Sequence, residues 1–281
     1  MKTILLAAMM VALCGMAGSP AQAQLSAEGP VIYGHHHLNV SNVAEHKRFW
    51  ADTLGATLIK FGNSDVARFP GVLVFMTERA PSGGTVGTTV NHIGFSVPDV
   101  RAMVDKVRAA GFRIATREEL PPDIAVEDGV ASIGDQNTHI AMLMAPDDVK
   151  VELIENRAQT VPIALHHLHF ASDKVEEMRA WYVSTFGAVP GTRGQFQTAD
   201  LPGVDLAWIA AAETPKGTQG SALDHIGFEV KNLEAFCKKL EAQGVKFDRP
   251  YLKIDAFKVA IAFFTDPFGT YIELTEGLNQ F

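Results

Sequence analysis

The chain has 281 residues, with 24 basic and 32 acidic side chains, a formal charge of −8 and 47% hydrophobic residues. Nucleic-acid binding needs basic patches that this balance does not supply. Past the first segment there is no run of about twenty apolar residues, which excludes a membrane-spanning helix there, and the length suffices for two cores.

That first segment is expected to be removed. Met1-Lys2 is a short basic start, Ile4 to Gly15 is apolar but too short to span a bilayer, and Ala21-Gln22-Ala23 is a small-x-small cleavage signal. Residues 1–23 therefore read as a signal peptide, with a mature, periplasmic or secreted chain starting at Gln24. A lipoprotein anchor at Cys14 fits less well, because Leu13 is bulky for such a site. Cys237 then remains alone, so no intrachain disulfide forms, and its helical-looking surroundings make it a small core residue.

The rest of the chain repeats itself. His35-His36-His37-Leu38 opens one half and His167-Leu168-His169-Phe170 the other, and an offset of 132 also carries Glu45 onto Glu177 and Pro70-Gly71-Val72 onto Pro202-Gly203-Val204. Each half divides again, because Asn91-His92-Ile93-Gly94-Phe95 matches Asp224-His225-Ile226-Gly227-Phe228. Four modules follow, each predicted as an alternating strand, a three-turn helix, a glycine stop and short strands. The predicted helices are Val43 to Leu54, Val100 to Ala110, Val175 to Phe186 and Leu233 to Gln243, stopped by Gly55, Gly111, Gly187 and Gly244. Asn42 and Asp99 are the expected caps. Val43, Phe49, Trp50 and Leu54 share one helical face, as do Val175, Met178, Trp181, Tyr182 and Phe186, and these aromatics are assigned to the core. Later strands are expected at Thr57 to Phe61, Val72 to Met76, His139 to Met144, Val149 to Ile154, Leu206 to Ala210, Val259 to Phe264 and Thr270 to Leu274. The halves span 31–156 and 163–277 and meet near Asn156 to Pro162.

Strand alternation sorts the histidines. Leu38 and Val40 must face the helix-covered core, which sends His35 and His37 to the opposite face and leaves His36 inside. By the same rule Leu168 and Phe170 send His167 and His169 outward, and His166 falls on the core side as a structural residue. His92 and His225 open the even modules, whose last strands carry Glu152 and Glu273 between apolar neighbours. Each half thus offers two imidazoles and a carboxylate: His35, His92 and Glu152, then His167, His225 and Glu273. Two histidines and one carboxylate leave positions open on a divalent metal, which is the pattern of non-haem Fe(II), while zinc and manganese also accept such ligands.

These modules resemble the βαβββ units of the vicinal oxygen chelate superfamily of glyoxalases, extradiol dioxygenases and bleomycin-resistance proteins. The residues carrying the likeness are His-x-x-Leu/Phe at His35, His92, His167 and His225, and the phrase Asp266-Pro267-Phe268-Gly269-Thr270-Tyr271-Ile272-Glu273-Leu274. The resemblance implies an α+β fold of four modules in two tandem domains with cupped mixed sheets, closing around metal held by the first and last strands. It leaves open whether module one pairs with two or with four. It also implies a fourth ligand, a Glu late in the odd module, for glyoxalase-like members. No Glu occupies Val72 to Met76 or Val204 to Trp208, although Glu78, Asp205 and Glu213 lie nearby. The three-ligand pattern resembles the extradiol dioxygenases instead, and the second half keeps the family phrase that Ala145-Pro146-Asp147-Asp148 replaces in the first.

The expected activity is therefore that of an Fe(II) extradiol-type dioxygenase on a small molecule that chelates through adjacent oxygens. The alternatives are a glyoxalase-like metal-dependent lyase or isomerase, and a periplasmic small-molecule-binding protein without turnover. His37 and His169, two residues from a ligand on the same face, are the candidates for moving a proton.

Overall fold

The computed structural model describes residues 31–134 and 138–281. The expected leader, including Cys14, lies outside the described residues.

Four βαβββ modules are present. Module one opens with Val31–Val40 and closes with Val72–Glu78; module two opens with Val90–Val97 and closes with Val149–Glu155. Module three opens with Ala164–Ser172 and closes with Val204–Ala210; module four opens with Leu223–Val230 and closes with Tyr271–Glu276. Within each module the opening and closing strands run parallel, because the helix crosses over between them.

The helices form where their periodicity places them. Val43–Lys47 starts on Asn42, whose side chain accepts from the Ala44 and Glu45 amides, and Val100–Ala109 starts on Asp99 in the same way. The first of these continues through Arg48–Thr53 with a widened turn, in which the Leu54 amide reaches back five residues to Phe49. Val175–Phe186 ends at Gly187 in the left-handed conformation (φ 76°), which a side chain would resist. Phe49, Trp50, Leu54, Met178, Tyr182 and Phe186 are buried, as is Cys237, whose thiol burial pushes up to about 11 with help from the Glu241 charge.

Expected strands are found, and the missed ones include Val130–Ile133, Val189–Arg193 and the middle hairpin strands. Ser64–Phe69, Phe196–Leu201 and Phe247–Ile254 show no strict alternation of burial, and Pro250 interrupts the last.

The sheets do not follow the halves. In one sheet the opening strands of modules one and four lie side by side and antiparallel; in the other, those of modules two and three do so. The pairing is therefore one with four and two with three. Each half nevertheless remains joined through its core: Trp50 of module one packs against Phe95 of module two, and Phe186 of module three stacks on Phe228 of module four at 4.4 Å. Burying such a side chain stabilises the fold by about 1.5–3 kcal/mol. Helices thus glue the two modules of each half, while sheets join modules that belong to different halves. Among the described residues no helix is long and apolar enough to cross a membrane.

Candidate metal centres

Each sheet carries one His/His/Glu cluster on the face opposite the helices. In centre one, His35 lies opposite Gly227 on the module-four strand, and Gly227 lies opposite Glu273 on the next strand. The imidazole of His35 therefore lies across Gly227, and its Nε2 reaches Glu273 Oε2 at 2.8 Å. His225 Nε2 meets the same oxygen at 3.1 Å. A Cβ on Gly227 would overlap the His35 ring, so only glycine permits this approach.

Centre two repeats the register. His167 lies opposite Gly94, which lies opposite Glu152, and a Cβ on Gly94 would overlap the His167 ring. Glu152 Oε2 is 2.8 Å from His92 Nε2 and 3.1 Å from His167 Nε2, and those two nitrogens are 3.3 Å apart. His169 Nδ1 joins them, 3.1 Å from His92 Nε2.

These spacings fit a divalent ion. Ligand atoms at about 2.1 Å from a metal and at right angles to one another lie about 3.0 Å apart. The potential ligand atoms of His35, His225 and Glu273, and those of His92, Glu152, His167 and His169, all lie within 4.8 Å of one another.

Burial and pairing set the charges. For Glu273 burial is the largest influence and works upward, but the charges and hydrogen bonds of His35 and His225 outweigh it and hold the carboxyl well below its usual range. Glu152 is held low in the same way by His167 and His92. Burial lowers His92 to about 4, against the opposing hydrogen bond and charge of Glu152. Burial also pulls on His225, yet hydrogen bonds to Asp224 and Glu273 prevail and raise it.

The sequence matches the model of the glyoxalase/bleomycin resistance protein/dioxygenase superfamily over residues 32–123 and 164–274. The chain belongs to this superfamily. It is similar to the probable lactoylglutathione lyase of Vibrio parahaemolyticus serotype O3:K6, 28% identical over 137 residues that cover 44% of this chain and 89% of the relative. The lactoylglutathione lyase of Haemophilus influenzae is 29% identical over 138 residues, covering 44% of this chain and 92% of the relative. Glyoxalase I from Zea mays superposes with a TM-score of 0.68 at 14% identity over 89% of this chain and 94% of that one. A putative dioxygenase from Bacillus subtilis reaches 0.60 at 16% identity, over 87% and 84%. At such identities the structural likeness shows the fold alone.

Within this superfamily fold, all six histidine and glutamate ligands expected from the sequence reach a cluster, but not in the expected sets. His35 joins His225 and Glu273 rather than His92 and Glu152, and His167 joins His92 and Glu152 rather than His225 and Glu273. The cause is the exchanged pairing: ligands meet across adjacent opening strands, and those belong to different halves. His36 faces the core as alternation predicts, with the Tyr33 hydroxyl donating to its Nδ1 at 2.5 Å.

His166 does not follow its assignment. The register shifts between Leu165 and His167, and at that bulge His166 is half-buried with Nδ1 2.9 Å from His167 Nδ1. Two further partners escaped the sequence reading. Asp224 Oδ1 accepts from His225 Nδ1 at 2.7 Å, and Asn91 Oδ1 accepts from His92 Nδ1 at 2.9 Å. Both sit at register shifts that turn them toward the histidine that follows, and such outer bonds fix which imidazole nitrogen is free to ligate. The signal was present as Asn-His and Asp-His at matching repeat positions. Asp205, a possible fourth ligand, is paired with Arg193 instead, and Glu78 and Glu213 are exposed.

His37 and His169, equivalent in sequence, behave differently. His37 Nε2 bonds Thr77 Oγ1 at 2.7 Å and its ring stacks on Phe75, whereas His169 points into centre two. Burial, followed by the charge of His225, pushes His37 down to about 3, so it is neutral at physiological pH.

Proposed function

We propose that the chain is a metal-dependent lyase or isomerase of the glyoxalase kind, acting on a small molecule that presents two adjacent oxygens. The observation that carries this reading is the convergence of two imidazole nitrogens and one carboxylate oxygen in each sheet. The lyase alternative stands above the dioxygenase because the sequence relatives are lactoylglutathione lyases.

A divalent metal in these ligand sets supplies Lewis-acid polarisation of substrate oxygens. Glu273 and Glu152 each bring two histidines to one point, and Gly227 and Gly94 let them approach. Leu73 and Phe75 lie beside His35 and His37 on the adjoining strand, and Phe263 and Tyr271 pack edge-on against His225, so aromatic and aliphatic side chains border centre one. His37, uncharged and fixed through Nε2 by Thr77, keeps Nδ1 to take and return a substrate proton.

The test is to quantify metal in the purified protein and to follow lactoylglutathione formation from methylglyoxal and glutathione, and oxygen consumption, separately. Thioester formation that is lost with a chelator and restored by metal supports the proposal. Oxygen uptake on adding a catechol, with iron bound and no lyase turnover, would return the assignment to a dioxygenase. A protein without metal, whose melting a chelator leaves unchanged, would overturn both.

A further inference from the structure

We infer that His169 is a fourth protein ligand in centre two, which makes the two centres chemically unequal: three histidines and a glutamate in centre two, two histidines and a glutamate in centre one. The inference rests on reading both clusters as metal centres.

The sequence treats His37 and His169 alike, and the backbone does too. His37 lies opposite His225 and beside Phe75; His169 lies opposite His92 and beside Ala207. What differs is the closing strand of the odd module. Phe75 gives His37 a ring to lie on, at 5.5 Å and 10° between planes, and Thr77 gives it a hydrogen-bond partner. At the matching positions module three has Ala207 and Ile209, which offer neither a ring nor a polar atom. The His169 ring is therefore not held toward that strand. Phe196 packs edge-on against it at 4.9 Å, and its Nδ1 sits among the ligand nitrogens, 3.1 Å from His92 Nε2. His169 is buried, and its Nε2 has no partner among the described residues.

The residues in contact explain the choice of ligand. In centre two the carboxylate nearest on the odd closing strand, Asp205, faces His167 in register but is neutralised by Arg193. An imidazole from the opening strand takes the place a carboxylate would fill. The set then carries one negative charge rather than two, and four protein atoms hold the ion where centre one has three. Affinity should follow: centre two retains metal more firmly, and centre one keeps more positions for substrate.

Titration of the metal-free full-length protein with Co(II), read by visible absorption and by competition with a chelator, tests this. Two equivalents that fill in sequence with different spectra, the tighter lost in Glu152→Gln, are expected. His169→Ala should weaken the tight site beyond the roughly 10–100-fold that loss of an outer partner causes, while His37→Ala should leave both affinities within about threefold, since an imidazole held by Thr77 is no ligand. The double substitution Phe75→Ala with Thr77→Ile should free His37 and move the centre-one spectrum toward that of centre two. Two equivalents with one spectrum and one affinity, unchanged by His169→Ala, would overturn the inference and leave both metal centres standing. No Co(II) uptake would overturn the metal reading itself. Should His169→Ala fail to fold, the wild-type titration alone decides: two spectra support the unequal sets, and a single one overturns them.

Discussion

Centre one and centre two share a backbone register, a glycine under one histidine and a glutamate between two histidines, yet nearly every residue around them differs. Asp224 holds His225 where Asn91 holds His92; Gly34 leaves His35 Nδ1 without a partner among the described residues where His166 meets His167; Phe75 and Thr77 restrain His37 where Ala207 and Ile209 release His169. Duplication preserved what the backbone geometry requires. It left free the atoms that tune charge and ligand number, so two centres of one origin need not do the same work.

The largest effect that sharpens this comparison is loss of one carboxylate. Glu273→Ala should remove one metal equivalent and spare the other, and Glu152→Ala should remove the complementary one; elemental analysis of each variant decides. Loss of both equivalents from either variant would show the centres to be coupled rather than independent.

Gly227→Ala and Gly94→Ala come next. Each forces a methyl into the ring of His35 or His167, at about 1–3 kcal/mol for overpacking. Melting temperature should fall for both, with metal lost only from the altered centre. A variant that keeps full metal would mean the histidine reaches its ligand position by another route.

Exchanging the outer partners should have a smaller effect. Asp224→Asn should weaken metal binding at centre one, and Asn91→Asp should strengthen it at centre two, by about 10–100-fold each as measured by chelator competition. Equal and opposite shifts would show that this pair favours centre one and so works against the tighter binding that His169 gives centre two.

The smallest effect lies outside both centres and gives their baseline. His46 accepts from Trp50 at Nδ1 and donates to Asp147 from Nε2. Burial, against the pull of Asp147, lowers its pKa, so as pH falls below about 6.5 the unfolded chain gains a proton that the folded chain refuses. Asp147 is also lowered: burial works against this, but bonds from Ser41 and His46 prevail, and its contribution is lost as pH falls through that lowered value. Both signs make acid destabilising. A melting series in His46→Gln should show a shallower acid fall, on the order of 2–4 °C for each kcal/mol.

Period-two alternation placed His35, His37, His167 and His169 on the face away from the helices, because on a strand with one face against a helix the other face is fixed by parity, and recurrence in both halves then singled out His35, His92, His167, His225, Glu152 and Glu273. Alternation misplaced His166 and gave no sign of the roles of Asn91 and Asp224, because at each a register shift adds one residue and breaks parity. Those shifts depend on the partner strand and leave no local pattern. His37 and His169 look identical along the chain because their difference resides in strands about 40 residues away.

The sequence by itself determined the module, its fourfold repetition and the strand faces that carry the clustered histidines and glutamates, since these follow from local periodicity and caps. Only the tertiary structure decided which ligands share a centre. Strand pairing between modules one and four, or two and three, is a contact between distant segments, and its stability comes from the sheet and the shared core rather than from any one stretch of chain.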